Sequence, residues 1–228
     1  MRQEPLKAAE IQYPESDGKP IDGGDMHREL MARQIDTLRG HLRDEPDAYV
    51  SGNLFVYYEE GNPESVVAPD VFVVRGVPKT LRKTYKVWEE EKGPEFVLEL
   101  TSTSTHREDL HNKRAIYEEL LVREYFLFDP EGVRFQPPLR GFRLKEGLLQ
   151  PIPVARKPDG AWAASSEFLG LELHGSGSSL RWVDPRTGKP LPSRAEAERA
   201  RAEAERTRAE RAEAELARLR EEIARRAP

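Results

Sequence analysis

Apolar and polar positions change their spacing several times along this chain. In MHRELMARQIDTLRGHL, Leu30, Ile35, Leu38 and Leu42 recur near a helical repeat, and Asp25 stands in the N-cap position. AYVSGNLFVYYEE reads as one or two strands interrupted at Ser51-Gly52-Asn53. SVVAPDVFVV is strongly β in composition and carries Pro69 and Asp70 inside it. RGVPKTLRKTYKVWEEEKG reads as a basic, aromatic-bearing loop with a short helix. PEFVLEL is a dense apolar strand. THREDLHNKRAIYEELLVR is an amphipathic helix bearing Leu110, Ile116, Tyr117, Leu120 and Leu121, and EYFLFDPEG is a further strand stopped by Asp129-Pro130. From Val133 to Trp182 short strands alternate with turns, and DPRTG predicts one more turn.

The pattern changes at Ser193. From there to the C-terminus the chain is almost entirely Ala, Glu and Arg, without Gly and without Pro before the last residue. Ser193 is placed to cap a helix. Glu196/Arg199, Glu198/Arg201, Glu203/Arg206 and Glu205/Arg208 are i,i+3 pairs, each contributing about 0.2–0.5 kcal/mol. Heptad a and d positions fall on Ala195, Glu198, Ala202, Glu205, Ala209, Ala212, Leu216, Leu219 and Ile223, so only the last turns offer an apolar seam. The tail therefore reads either as a solvated helix without a partner or as one that pairs through its C-terminal end.

The order of elements predicts an α/β or α+β fold around a mixed sheet. The expected organisation is a domain over 1–150, a β-rich extension packed on it over 151–192, and a helical tail over 193–228, a possible coiled coil. Of the 228 residues, 34% are charged, which is high. The excess is local: the tail from Arg194 holds ten Arg and nine acids, leaving the body a net charge of −6. A body of that sign does not grip nucleic acid by bulk charge, although a local basic groove or a metal site remains open to it. The absence of cysteine excludes disulfides, thiolate metal sites and cysteine nucleophiles. The first residues lack an apolar run of signal-peptide length, and no stretch approaches the roughly 18 apolar residues of a membrane span. A cytoplasmic protein is expected.

Against this background Glu99 stands out. An ionised carboxylate inside the apolar run FVLEL is costly unless it is paired, hydrogen-bonded or bound to a metal. Two other features fall in order around it: Asp70 behind Pro69, and DLHNK, in which Asp109 and Lys113 are four apart with Tyr117 four further on. If the strands of Asp70 and Glu99 are neighbours, their carboxylates converge on one hard divalent cation, Mg²⁺ or Mn²⁺. Lys113 then reaches back to orient a water or to stabilise developing charge.

APDVFVV, FVLELTSTST, DLHNKRAIY and EYFLFDPEG, in that order, resemble the Uma-two family of restriction endonucleases within the PD-(D/E)xK nuclease superfamily. The resemblance extends through FLGLELHGSGSSLRWVDPRTGKPLPS and the Ala/Glu/Arg helix. It implies a restriction-endonuclease-like core with a mixed β-sheet flanked by helices, Mg²⁺-dependent hydrolysis of DNA phosphodiesters, and Asp70, Glu99 and Lys113 as catalytic residues with Asp70 and Glu99 on the metal. The strict motif places a lysine at position 101, where this chain has Thr101, so the lysine role passes to Lys113. Family members generally carry Trp where this chain has Phe126. Glu29 is a further acid that nucleases of this type often place in the first helix. A homodimer is expected for cutting two strands.

Simpler readings stand beside these. Asp70 is equally a turn aspartate after a proline, and Glu99 a structural partner of Arg107 or Lys113. Glu29 fits an exposed helix position, and His27, which opens the same helix, fits either a residue facing the site or, better, a helix start without a chemical role. Thr105 with Glu108 has the spacing of a capping box, while His106 and His111, five apart, do not share a helix face. Lys79, Arg82, Lys83 and Lys86, interleaved with Tyr85 and Trp88, fit either a nucleic-acid backbone contact or a solvated loop. The rival class is a non-catalytic interaction protein of nuclease fold that assembles through its helical tail.

Overall fold

The computed structural model describes residues 11–16, 18, 24–101 and 112–226. It divides into two compact units, Met1–Leu191 and Pro192–Pro228. In chain order the first unit holds α1 (Gly24–His41), β1 (Ala48–Ser51), β2 (Val56–Tyr57), β3 (Val66–Val67), β4 (Val71–Arg75), β5 (Tyr85–Lys86), α2 (Val87–Glu90), β6 (Phe96–Leu100), α3 (Arg114–Glu119) and β7 (Glu124–Phe128). After these come β8 (Leu139–Lys145), β9 (Leu148–Pro151), β10 (Ala155–Arg156), β11 (Trp162–Ser166), β12 (Leu171–Ser176), β13 (Ser179–Asp184) and β14 (Lys189–Pro190).

The central sheet has six strands in the order β1-β4-β6-β7-β8-β9. Only β6 and β7 run parallel, and α3 lies in the connection between them. The strands β4, β6 and β7 are apolar almost throughout because both of their faces are buried. Alternate residues enter opposite cores. Val71, Val73, Phe96, Leu98 and Phe126 pack with Leu30 and Leu38 of α1 and with Leu173 and Trp182 of the second sheet. Phe72, Val74, Val97 and Tyr125 pack on the other side with Tyr117 of α3, and with Val56 and Tyr85 of the small sheet β3-β2-β5.

The second sheet, β10-β11-β12-β13-β14, is an antiparallel meander. It supplies the β-rich remainder expected after residue 150. The hairpin between β8 and β9 turns on Glu146 (φ 52) and Gly147 (φ 81), both left-handed as a type I′ turn requires. The second unit is one helix, α4 (Arg194–Arg226). Its Ser193 Oγ accepts the Glu196 N–H at 3.2 Å while Glu196 Oε2 accepts the Ser193 N–H at 2.8 Å, a reciprocal capping box.

Three local expectations change. SVVAPDVFVV is two strands, because Pro69 has no N–H for a ladder. Val66–Val67 pairs with β2, and the chain resumes as β4 in a different sheet. Asp25 lies inside the first turn of α1, ion-paired to Arg28, instead of capping it. The basic segment around Lys79–Trp88 contains a short strand, β5, ahead of α2. The proposed cap at Thr105, together with Ser102 to Glu108 and His111, lies outside the described residues.

Candidate active site

β4 and β6 pair antiparallel with Val71 opposite Leu98. The ladder ends at that pair: Asp70 is the residue just before β4 and Glu99 the residue just after Leu98 on β6, so the two acids flank the same end of the β4–β6 pairing. Asp70 Oδ2 accepts the backbone N–H of Leu100 at 2.7 Å, which ties the aspartate to the end of β6. From the other side, the Asn53 N–H donates to the Pro69 carbonyl at 2.8 Å. Asp70 is thus pinned by both neighbouring segments although it belongs to no strand.

Glu99 is 1% exposed. The Tyr117 hydroxyl donates to its Oε1 at 2.6 Å, and Lys113 Nζ lies 3.1 Å from the same oxygen. Lys113 and Tyr117 are one helical turn apart, so one face of the α3 region delivers a cation and a neutral donor to one buried carboxylate. The Lys113 side chain keeps 15% exposure against 2% for that of Glu99, so the cation sits nearer the surface than the acid. Position 101 serves the sheet: the Thr101 N–H donates to the Phe128 carbonyl at 2.8 Å and its Oγ1 to the same carbonyl at 3.3 Å.

The sequence favours a helix start without a chemical role for His27 over one facing the site, yet its Nε2 lies 2.8 Å from Asp70 Oδ1, with 9% and 15% of the two side chains exposed. Against an ionised carboxylate that nitrogen carries the proton and donates. One signal for it exists in the sequence: His27, Leu30, Gln34 and Leu38 form the buried stripe of α1, and a histidine opening an apolar stripe points inward. Glu29 is exposed and lines a groove with Arg33 and Ser178–Leu180 instead. Asp109 lies outside the described residues. The structure thus sets His27 of α1 on Asp70, and Lys113 and Tyr117 of the α3 region on Glu99.

The basic segment has a largely structural explanation. Arg82 forms a bidentate pair with Glu90 at 2.6 and 2.7 Å and stacks 4.3 Å over the Tyr49 ring. That carboxylate outweighs the effect of burial and raises the Arg82 pKa further. Lys83 pairs with Glu15 and Lys86 with Glu89. Tyr85 is fully buried and Trp88 packs on Tyr13. Among the described residues of this segment, only Lys79 bonds to no acid: its Nζ meets the carbonyls of Leu42 and Arg43 at 2.8 and 3.2 Å.

Among the described residues no group of three or more His, Asp or Glu side chains is placed to hold a metal ion. Asp70, just ahead of β4 with 15% of its side chain exposed, and buried Glu99 supply the oxygen donors that a hard cation prefers. Mg²⁺ is commonly held by one or two carboxylates with waters completing its shell. Asp70 and Glu99 are the residues that would hold it.

No curated protein matches the chain. A solved structure similar to it is described as a "putative nuclease belonging to DUF820" from Anabaena variabilis ATCC 29413, 12% identical, with a TM-score of 0.44 over 65% of this chain and 86% of that one. The profile of the Uma2 family, described as "Putative restriction endonuclease", matches residues 2–176. With most of its length matched, the chain belongs to the Uma2 family.

Proposed function

We propose that this protein is a metal-dependent endonuclease that hydrolyses phosphodiester bonds in DNA. The observation that carries the reading is that Asp70 and Glu99 flank the same end of the β4–β6 pairing, with Lys113 held 3.1 Å from Glu99. Mg²⁺ or Mn²⁺ bound there would lower the pKa of a water towards neutrality and offset phosphate charge. Tyr117 fixes the Glu99 carboxylate in one orientation, and His27 with the Leu100 N–H does the same for Asp70. Lys113, 3.1 Å from Glu99 with 15% of its side chain exposed, would carry charge developing on a phosphoryl oxygen or align the attacking water. Cutting both strands calls for two such sites, which a homodimer would supply.

A second reading has its own observation. Glu99 is buried against Lys113 and Tyr117, and both Asp70 oxygens are engaged, as expected of an acid pair kept for stability in a non-catalytic interaction protein. That protein would assemble through α4. Plasmid nicking with Mg²⁺, Mn²⁺ or chelator separates the two, with Asp70→Ala and Glu99→Ala prepared identically. Nicking that requires metal and is lost in both variants supports the nuclease. No nicking, or equal nicking by the variants, leaves the interaction protein.

A further inference from the structure

A second feature of the fold lies at the opposite end of α1 from His27. The last turn of α1, β1 and the segment carrying Lys79 and Leu81 enclose a groove of about 290 Å³. Arg39, Arg43 and Lys79 line it, Tyr49 lies in its wall, and Leu81 stands 96% exposed beside them. Among the described residues its lining contains no acid. Two of the three cations are held by neutral acceptors: Arg39 Nε donates to the Val50 carbonyl at 3.0 Å, and Lys79 to the carbonyls of Leu42 and Arg43. Among the described residues their one carboxylate contact is between Arg43 and exposed Asp44 at 3.4 Å. Glu45, which feels the charge of Lys79, is bonded to Arg75 at 2.7 Å.

The neighbouring cations Arg75, Arg82, Lys83 and Lys86 each meet an acid, whereas Arg39 and Lys79 rest on carbonyls and, among the described residues, Arg43 meets only its exposed sequence neighbour Asp44. Anchoring a guanidinium or ammonium on carbonyls orients it without cancelling its charge. Two such groups and Arg43 around one concavity, on a body whose net charge is −6, make a localised anion-binding surface. A single small anion would need only one or two of them. Arg39 stands twelve residues beyond His27 on α1, an axial distance of about 18 Å at 1.5 Å per residue. That spans about five phosphates at roughly 3.4 Å each along one strand.

We propose that this groove binds the sugar–phosphate backbone of duplex DNA several nucleotides from the bond held at Asp70 and Glu99. The inference takes its ligand from the nuclease reading, but its test does not depend on cleavage. Binding of a fluorescent duplex of about 30 base pairs, roughly 100 Å long at about 3.4 Å per base pair and so well beyond that reach, is measured by anisotropy in chelator over a range of salt. In Arg39→Gln/Arg43→Gln/Lys79→Gln the affinity should fall roughly tenfold or more, and the slope of log affinity against log salt should shrink by about 2 to 3.

Lys79 and Arg39 also bond to backbone carbonyls, so Arg43→Glu, at a side chain bonded only to Asp44 among the described residues, repeats the test without disturbing them. Lys145→Glu, on an exposed part of β8, should leave binding unchanged. Equal affinity and slope in the triple variant and in Arg43→Glu, or no duplex binding by the parent protein at low salt, overturns the groove. Loss of binding in the variants, with no metal-dependent nicking by the parent protein, would keep the groove and discard the nuclease.

Discussion

A Cβ built on Gly52 would stand 1.9 Å from the carbonyl oxygen of Asp70 and 2.9 Å from Ile35 Cδ1. The backbone that carries the candidate metal ligand is therefore pressed against a glycine, and the glycine in turn against α1. Gly52→Ala cannot be absorbed by a side-chain rotation, because the nearest atom is main chain. The strand end must move, at a cost of at least about 1–3 kcal/mol by analogy with overpacked cores. Urea unfolding should show that loss. If the protein cuts DNA, the variant should lose activity beyond its loss of folded material, since Asp70 moves with the chain.

Tyr117→Phe removes the hydroxyl that donates to Glu99 and leaves the ring in place among Val97, Tyr125 and their neighbours. A buried carboxylate deprived of one donor costs about 1–3 kcal/mol. Lys113→Met should cost a comparable amount or more, because Glu99 loses its positive partner while remaining 1% exposed. The double change Lys113→Met/Glu99→Gln should recover part of that loss. Equal unfolding midpoints for the single and double variants would mean that the pair is not coupled in solution.

Metal addition tests the same acids from the other side. A ligand that binds only the folded state stabilises it by about 1.4 kcal/mol at ten times its Kd. Mg²⁺ or Mn²⁺ should raise the melting temperature of the parent protein and leave Asp70→Asn and Glu99→Gln unmoved. His27→Ala should weaken the metal response without abolishing it, since His27 holds Asp70 but is not one of the two oxygen ligands. An identical rise in all four proteins would place any bound cation elsewhere.

Much of this architecture is written in the chain, and the parts that are not share a cause. The strands around Phe96–Leu100 and Glu124–Phe128, the misplaced Glu99, and the helix bearing Lys113 and Tyr117 rest on local spacing, which a linear pattern displays. Lys113 and Tyr117 prove to meet on Glu99 because an i,i+4 relation fixes a common face before any tertiary contact exists. The His27–Asp70 contact joins residues 43 apart, and nothing local to either signals the other. The break at Pro69 was visible as a proline, but which sheet each half would join depends on β2 and β6. The basic segment reads two ways in the sequence, and its ion pairs depend on where Glu90, eight residues on, and Glu15, from the N-terminal segment, are brought by the fold.

The turn after β7 gives a prediction in pH. Asp129 has no exposed side-chain surface and Arg134 keeps 8%. Burial raises the Asp129 pKa, but the backbone N–H of Arg134 at 2.6 Å, its guanidinium at 2.9 Å and the Glu131 N–H more than offset that, so the carboxyl is held below its usual value. A carboxylate with a depressed folded pKa stabilises the protein fully above the unfolded value, about 3.9 for aspartate. That contribution fades as the pH falls below it and is gone once the pH has passed through the folded value. Asp129→Asn should accordingly be less stable than the parent protein at pH 7, and the gap should close between about pH 5 and the acid limit of folding. Asp129→Ala, which also strips Arg134 of its buried partner, should cost about 3 kcal/mol or more at neutral pH. Unfolding midpoints of the three proteins across that range decide the matter: a gap of constant size at every pH would show that the Asp129 charge contributes nothing and that only its hydrogen bonds hold the turn.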